Sequence, residues 1–203
     1  MKGLLIALML TVGAGSAFAQ YQEKIHYTVV SKTATATPTV TEFFSMYCGH
    51  CYSFEPMMPQ IKAGLKAGTK FEKSHVDYIP RDNPTVQAGI VQAFVIMDKM
   101  GDKGAEVLQY FFDQIHLKMR TVEDMGTIKK MFEEKGVSKA EVDKYFADQT
   151  LATKARKMAR AWEAKGVSNV PSLVVNGKYL VNMGSVNSLE ELLALVNYLV
   201  DKK

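Results

Sequence analysis

Phe43-Phe44-Ser45-Met46-Tyr47-Cys48-Gly49-His50-Cys51 holds both cysteines of the 203-residue chain. An apolar run leads straight into a Cys-x-x-Cys. That order predicts a buried strand, Val40 to Ser45, ending at the N-terminus of a helix, with the dithiol at the junction. A helix N-terminus favours negative charge, and the thiolate is the reactive form of cysteine. The sequence therefore points to thiol–disulfide exchange.

Outward from the dithiol the chain is a mixture of strands and helices. Upstream, Tyr27 to Val30 has the residue types of a short edge strand, and Thr33 to Pro38 is a small-residue, Thr-rich connector. Downstream, a helical pattern runs from Gly49 to about Lys66, and Pro56 and Pro59 predict a break within it. Phe71 to Asp77 is a further strand, with Phe71, Lys73 and His75 on one face and Glu72, Ser74 and Val76 on the other. Asn83-Pro84 is an N-cap followed by proline at the first helical position. A long helical block follows, with one stripe at Ile90, Phe94 and Met97 and another at Val107, Tyr110 and Phe111. Ser138 with Glu141 makes a capping box. Gly101, Gly136 and Gly166 mark helix ends. Strand character returns at Ser172 to Val175. Asn176-Gly177 is a two-residue hairpin turn, and Lys178 to Val181 is the return strand. Ser188 and Glu191 predict a second capping box ahead of a last helix, Leu189 to Val200.

The N-terminus has the layout of a secretory leader: Lys2, an apolar run from Leu4 to Val12, and Ala17-Phe18-Ala19 as a small-x-small cleavage site. The run is too short to span a bilayer as a helix. A buried N-terminal helix is the competing reading. Cleavage would remove 19 of the 203 residues and leave 184 beginning at Gln20. A chain of that size can bury a core without disulfide staples. No later stretch is long and apolar enough to span a membrane, so an exported soluble protein is expected. In an oxidising compartment a Cys-x-x-Cys can persist as a disulfide. The net charge is +4, but Lys62, Lys66, Lys70, Lys154, Arg156, Lys157 and Arg160 are interspersed with acids. This describes a solvated surface rather than a nucleic-acid patch.

Several segments together resemble the DsbA family of periplasmic oxidases, within the thioredoxin superfamily. They are Glu42-Phe43-Phe44-Ser45, Cys48-Gly49-His50-Cys51, Tyr52-x-Phe54-Glu55, His75-Val76, Val170-Pro171 and Val175-Asn176-Gly177-Lys178-Tyr179. The resemblance runs over the whole mature chain. It implies an α/β thioredoxin fold with a large all-helical insertion. Residues 20–81 and 166–203 would form the thioredoxin-like domain, 82–165 the inserted helical domain, and 1–19 the cleaved signal peptide. It further implies a protein dithiol oxidase in the periplasm of a Gram-negative bacterium, acting as a monomer on reduced, unfolded exported proteins. A quinone-linked membrane partner of the DsbB type would reoxidise it. The redox-active disulfide Cys48–Cys51 would serve in place of any bound cofactor or metal.

The site residues expected on this basis are Cys48, Cys51, His50, Gly49, Pro171, Val170, Glu42 and Lys73. Cys48 is expected to be the exposed, attacking sulfur, where unpaired N–H groups and the helix dipole favour a thiolate. His50 adds a donor, and a charge when protonated. Cys51 is expected to be more buried and to act as the resolving thiol. The resemblance places a cis bond at Pro171, facing the dithiol and leaving the Val170 backbone free to pair with an extended substrate. It makes Glu42 and Lys73 a buried charged pair beneath the dithiol; without it, both could project to solvent at strand edges. Gly49 departs from the family's usual proline and matches the Cys-Gly-His-Cys of protein disulfide isomerase. This bears on oxidising strength, for which ~30 mV corresponds to ~1.4 kcal/mol.

Competing readings of the dithiol use the same residues differently. A disulfide isomerase or reductase would share the site, but shows no separate dimerisation segment here. An exported binding protein or chaperone would carry an inert disulfide, although so short a loop adds little stability. Zinc would need further thiolates or histidines beyond His50 and the scattered His26, His75 and His116. Covalent haem would need histidine where Tyr52 stands. Met46, Met57, Met58 and Met183 read first as core, and alternatively as part of an adaptable apolar groove.

Overall fold

A computed structural model describes residues 21–202, so the leader segment 1–19 lies outside the described residues. Five strands form one mixed sheet: β1 (Tyr27–Val29), β2 (Thr39–Phe44), β3 (Lys70–His75), β4 (Ser172–Val175) and β5 (Tyr179–Val181), in the order β1-β5-β4-β2-β3. β2 pairs in parallel with β3 and antiparallel with β4. β4 and β5 form the hairpin turned by Asn176 and Gly177, both at positive φ (53° and 60°), as a type I′ turn requires. β1 closes the edge against β5.

The expected break after the dithiol is present. Helix α1 (Gly49–Phe54) passes through a 3-10 turn at Glu55–Met57 into α2 (Met58–Gly64). Pro56 and Pro59 each sit in the first turn of the segment they open, where a missing N–H is tolerated. Between β3 and β4 lie α3 (Pro84–Lys99), α4 (Asp102–His116), α5 (Met125–Glu134), α6 (Lys139–Ala147) and α7 (Gln149–Ala159). The last helix is α8 (Leu189–Asp201). The arrangement is a thioredoxin fold with an all-helical insertion.

Side chains cap helices of the insertion. Asn83 Oδ1 accepts from the Val86 N–H at 3.1 Å and caps α3, and Ser138 and Glu141 form a reciprocal capping box at α6. The second capping box is corrected. Ser188 does accept from the Glu191 N–H at 3.1 Å, but Glu191 Oε2 accepts from the Asn187 N–H at 2.7 Å, one residue further out. In the α4 stripe, Val107 and Phe111 are buried, whereas Tyr110 reaches the rim and donates to Glu134 at 2.8 Å.

Two packing regions matter for the site. One core sets Val40, Leu173, Val175 and Tyr179 of the sheet against Ile61 of α2 and Leu192, Leu195 and Leu199 of α8. Another joins Phe44, Met46, Cys48 and Cys51 to the insertion through Ile90, Phe94, Phe111 and Phe112. The dithiol end of β2 is thus built into the insertion's core. Met46 and Met58 are buried, and Met58 also lines a cavity beside Glu55 and Lys73. α3 and α4 approach closely because Gly104 lacks a side chain: a Cβ there would lie 1.7 Å from the Met97 carbonyl oxygen.

Candidate active site

The site begins where β2 ends. Cys48 N–H donates to the Ser45 carbonyl at 3.0 Å, and the Ser45 hydroxyl accepts from the Tyr47 N–H at 3.1 Å, so the chain turns tightly out of the strand. Cys48 is the N-cap of α1, in extended conformation (φ −92°, ψ 113°), and its Sγ accepts from the Cys51 N–H at 3.2 Å. Both cysteines are free thiols in this structure.

Exposure differs from the sequence expectation in one respect. Cys51 is fully buried, as expected, but Cys48 is itself only 9% exposed. The cause is the loop before β4. Cys48 Sγ lies 3.3 Å from the Val170 carbonyl oxygen, a bond the sulfur can donate only while it is protonated, and the Val170–Pro171 peptide beside it is cis. That loop is fastened by the Ser172 hydroxyl, which donates to the Asn169 carbonyl at 2.7 Å. Gly49 and His50 are exposed.

The two sulfurs are driven apart in acidity. A hydrogen bond from the Cys51 thiol is the largest influence lowering the Cys48 pKa; burial opposes it, and the backbone N–H groups of Cys51 and His50 and the His50 charge add to it. The result is a fall from 9.0 to about 6. Burial pushes the Cys51 thiol far up, and the hydrogen bond to Cys48 and the charges of Cys48 and Glu42 push the same way. At neutral pH the pair is therefore a thiolate beside a thiol.

Register explains the charges beneath it. Glu42 and Lys73 are direct neighbours in the parallel β2–β3 ladder, so their side chains share a face. Lys73 Nζ lies 2.9 Å from Glu42 Oε2 and also contacts Glu55 Oε1. The ammonium stands 4.3 Å from the centroid of the Phe44 ring. Glu42 is fully buried, and neither of its oxygens has a well-directed hydrogen bond, so the Lys73 contact is an ion pair by distance only. Burial raises the Glu42 pKa from 4.5 to about 7 despite Lys73. Burial also acts to lower the Lys73 pKa, but the two carboxylates outweigh it and hold it above the ordinary value.

Three further groups stand at the site beyond the residues expected there. Glu55 is four residues after Cys51, on the same helical face, and that spacing was the available signal. His75 is buried and neutral: burial lowers its pKa to about 3, Nδ1 donates to the Val76 carbonyl at 2.7 Å, and Nε2 accepts from the Met46 N–H at 2.9 Å. His116, from α4, meets the Met46 carbonyl at 2.9 Å. No local pattern announces His116, which reaches the site only through the packing of the insertion. Among the described residues, no three His, Cys, Asp or Glu side chains converge as a metal site would need.

Gly49 occupies the first turn of α1, and the N–H groups that stabilise the Cys48 sulfur belong to His50 and Cys51. Proline at 49 removes neither donor. The extended Cys48 suits a residue preceding proline, and a Cβ on Gly49 would meet only His116 Nδ1, at 4.0 Å. Gly49→Pro is expected to raise stability by about 0.4–1 kcal/mol through the unfolded chain's entropy. Thermal melts should show the gain, and the thiolate absorbance titration of Cys48 should keep its midpoint.

A strand-to-helix dithiol beneath a proline loop, in this sheet order, defines a thiol:disulfide oxidoreductase of the thioredoxin class. A family model described as Thioredoxin matches residues 27–197. The thiol:disulfide interchange protein DsbA of Salmonella typhimurium is 32% identical, with all of both chains covered. That of Escherichia coli K12 is 28% identical over the same full coverage. The crystal structure of Pseudomonas aeruginosa DsbA superposes with a TM-score of 0.76 at 26% identity, covering 90% of this chain and 94% of that one. The chain belongs to the DsbA family of the thioredoxin superfamily.

Proposed function

We propose that this protein introduces disulfide bonds into exported proteins by donating its Cys48–Cys51 disulfide. A substrate thiolate attacks Cys48 Sγ, the Cys48–Cys51 bond breaks, and Cys51 leaves and takes up a proton. A second substrate thiolate then attacks the substrate sulfur of the mixed disulfide and releases Cys48 as a thiolate. Two electrons pass from the substrate dithiol to the Cys48–Cys51 pair, and the substrate leaves as a disulfide.

The observation that carries this reading is the placement of the two sulfurs: Cys48 Sγ caps α1 and accepts from the Cys51 N–H at 3.2 Å, while Cys51 is fully buried, and that placement splits their acidity. A Cys48 pKa of about 6 stabilises the reduced pair at neutral pH, and what stabilises the reduced pair makes the disulfide a good oxidant. In this reading Cys48 and Cys51 are the catalytic residues, His50 supplies a donor and a charge to the thiolate, and Gly49 forms the first turn of α1 between them. The Val170 backbone, held by Pro171, pairs with extended substrate. Glu42, with Lys73, exchanges a proton with Cys51. The substrates are reduced, unfolded exported polypeptides, and a quinone-linked membrane oxidase of the DsbB type restores the disulfide. The protein works in the periplasm of a Gram-negative bacterium, after loss of residues 1–19, as a monomer, with the disulfide as its electron carrier. Residues 20–81 and 166–203 form the thioredoxin-like domain and 82–165 the inserted helical domain. No helix among the described residues is long and apolar enough to cross a membrane.

Equilibration with glutathione buffers tests the assignment. The expected outcome is a disulfide readily reduced by glutathione, with Cys48 ionising near pH 6. A potential below about −300 mV, the range of structural disulfides, would sink it. The pH dependence has a fixed sign. The folded Cys48 pKa lies below its unfolded value, so its stabilisation of the reduced form is full above pH ~9 and is lost as pH falls through ~6. With allowance for solvent screening on the open side, it amounts to about 2 kcal/mol. Melting of the reduced form should exceed that of the oxidised form at pH 8, with the gap closing towards pH 5.

A further inference from the structure

Met46 lies two residues before Cys48 and is fully buried. Both of its backbone groups end on histidine rings. Its N–H donates to His75 Nε2 at 2.9 Å, and its carbonyl faces His116 Nε2 at 2.9 Å. A carbonyl only accepts, so His116 Nε2 carries the hydrogen. His75 comes from β3 of the sheet; His116 is the last residue of α4, in the insertion. The segment that delivers the reactive sulfur is thus gripped from both sides of the molecule.

The His116 ring is itself fixed. It stacks on Tyr52 at 5.2 Å with an interplanar angle of 13°, and packs against Phe112 at 6.0 Å. Tyr52 follows Cys51 on α1, its N–H donates to the Cys48 carbonyl at 3.0 Å, and its hydroxyl donates to Asp113 Oδ1 at 3.1 Å. The ring therefore touches the chain on both sides of the dithiol, at Met46 before it and at Tyr52 after it. His116 Nδ1 is also what a side chain at Gly49 would meet.

We propose that His116 is a positioning residue for the dithiol: its bond to the Met46 carbonyl and its stack on Tyr52 hold the strand exit and the first turn of α1 so that the N–H groups of His50 and Cys51 bear on Cys48 Sγ. The inference rests on the exchange function proposed above and adds to it a role for the insertion in tuning the thiolate. Without the bond, the Met46 carbonyl is left buried and unpaired, the turn relaxes, and the donors lose alignment with the sulfur.

Two variants separate the hydrogen bond from the packing. His116→Met fills the space against Tyr52 and Phe112 but has no donor; His116→Gln has an amide N–H for the carbonyl. The readouts are the Cys48 thiolate absorbance against pH, the glutathione equilibrium, and melting of the oxidised and reduced forms. A net hydrogen bond corresponds to about a twofold to tenfold change in an equilibrium constant. His116→Met is expected to raise the Cys48 midpoint and shift the glutathione equilibrium by that factor towards the protein disulfide. It should lower the melting point of the reduced form more than that of the oxidised form. His116→Gln is expected to return most of the shift. A His116→Met protein that titrates and equilibrates as wild type overturns the proposal. So does an equal shift in both variants, or an equal loss of melting temperature in both redox forms. Should His116→Met fail to fold, ring nitrogen signals of His116 in the wild type decide. They should move as Cys48 ionises, and signals unchanged across that transition overturn the proposal. If wild-type Cys48 itself ionised like free cysteine, the exchange function would fall instead.

Discussion

Cys51→Ala is expected to abolish catalytic oxidation of a dithiol peptide, by at least about a thousandfold, and to raise the Cys48 pKa at the same time. The two effects have separate causes. Without a second sulfur there is no internal disulfide to donate and no thiol to resolve a mixed one, so adducts of Cys48 with substrate or glutathione should accumulate. The acidity change follows from the reduced pair, where the Cys51 thiol is the largest influence lowering the Cys48 pKa. The backbone donors and His50 remain, so the midpoint should rise above about 6 yet stay below 9.0. Absorbance titration measures the second effect and peptide oxidation the first. Turnover at the wild-type rate would refute the resolving role. An unmoved Cys48 midpoint would mean that the helix terminus alone sets its acidity.

Lys73→Met carries the next largest effect, this time on stability. It strips the cation from a fully buried carboxylate that already lacks well-directed hydrogen bonds. Removing one member of a buried pair typically costs about 3–5 kcal/mol. Here the lower end is expected, because Glu42 can escape by taking up a proton. Its folded pKa, about 7 even with Lys73 present, lies above its unfolded value of 4.5. Such a group favours folding fully below the unfolded pKa, and that contribution is lost as pH rises through the folded one. The Lys73→Met deficit should therefore be about 3 kcal/mol at pH 8 and distinctly smaller at pH 5. Adding Glu42→Gln should recover much of the loss, since the stranded charge is gone. Urea titrations of the wild type and the two variants at both pH values check this. A deficit independent of pH and of residue 42 would place the damage in the lost contact of the ammonium with the Phe44 ring.

These charges also mark the limit of what local sequence encodes. Alternation put Phe71, Lys73 and His75 on one face, and the structure keeps them there. Whether Lys73 faced water or Glu42 depended on register between two strands distant in sequence, and alternation carries no register. Glu55 completes the ion cluster from the C-terminal end of α1, where its carboxylate meets Lys73 Nζ. The dithiol junction, the N-cap at Asn83, the Asn176–Gly177 turn and the final helix were legible because each is set by neighbours within a few residues. The second capping box differs by one residue because Glu191 Oε2 accepts from both the backbone N–H and the side-chain amide of Asn187, a second donor that the spacing of Ser188 and Glu191 does not register.

The sequence by itself determined that two sulfurs stand at a strand-to-helix junction, and hence that one can be a stabilised thiolate. Chain order and local backbone preference suffice for that, since the helix terminus supplies the unpaired N–H groups wherever the helix is placed. Only the tertiary structure decided that Cys48 lies almost covered beneath the Val170 carbonyl and that a histidine of the insertion grips the turn before it. It also decided that Glu42 is buried deeply enough to hold a proton near neutrality. Burial and contact between segments more than sixty residues apart depend on how the layers close over one another, and no local pattern encodes that.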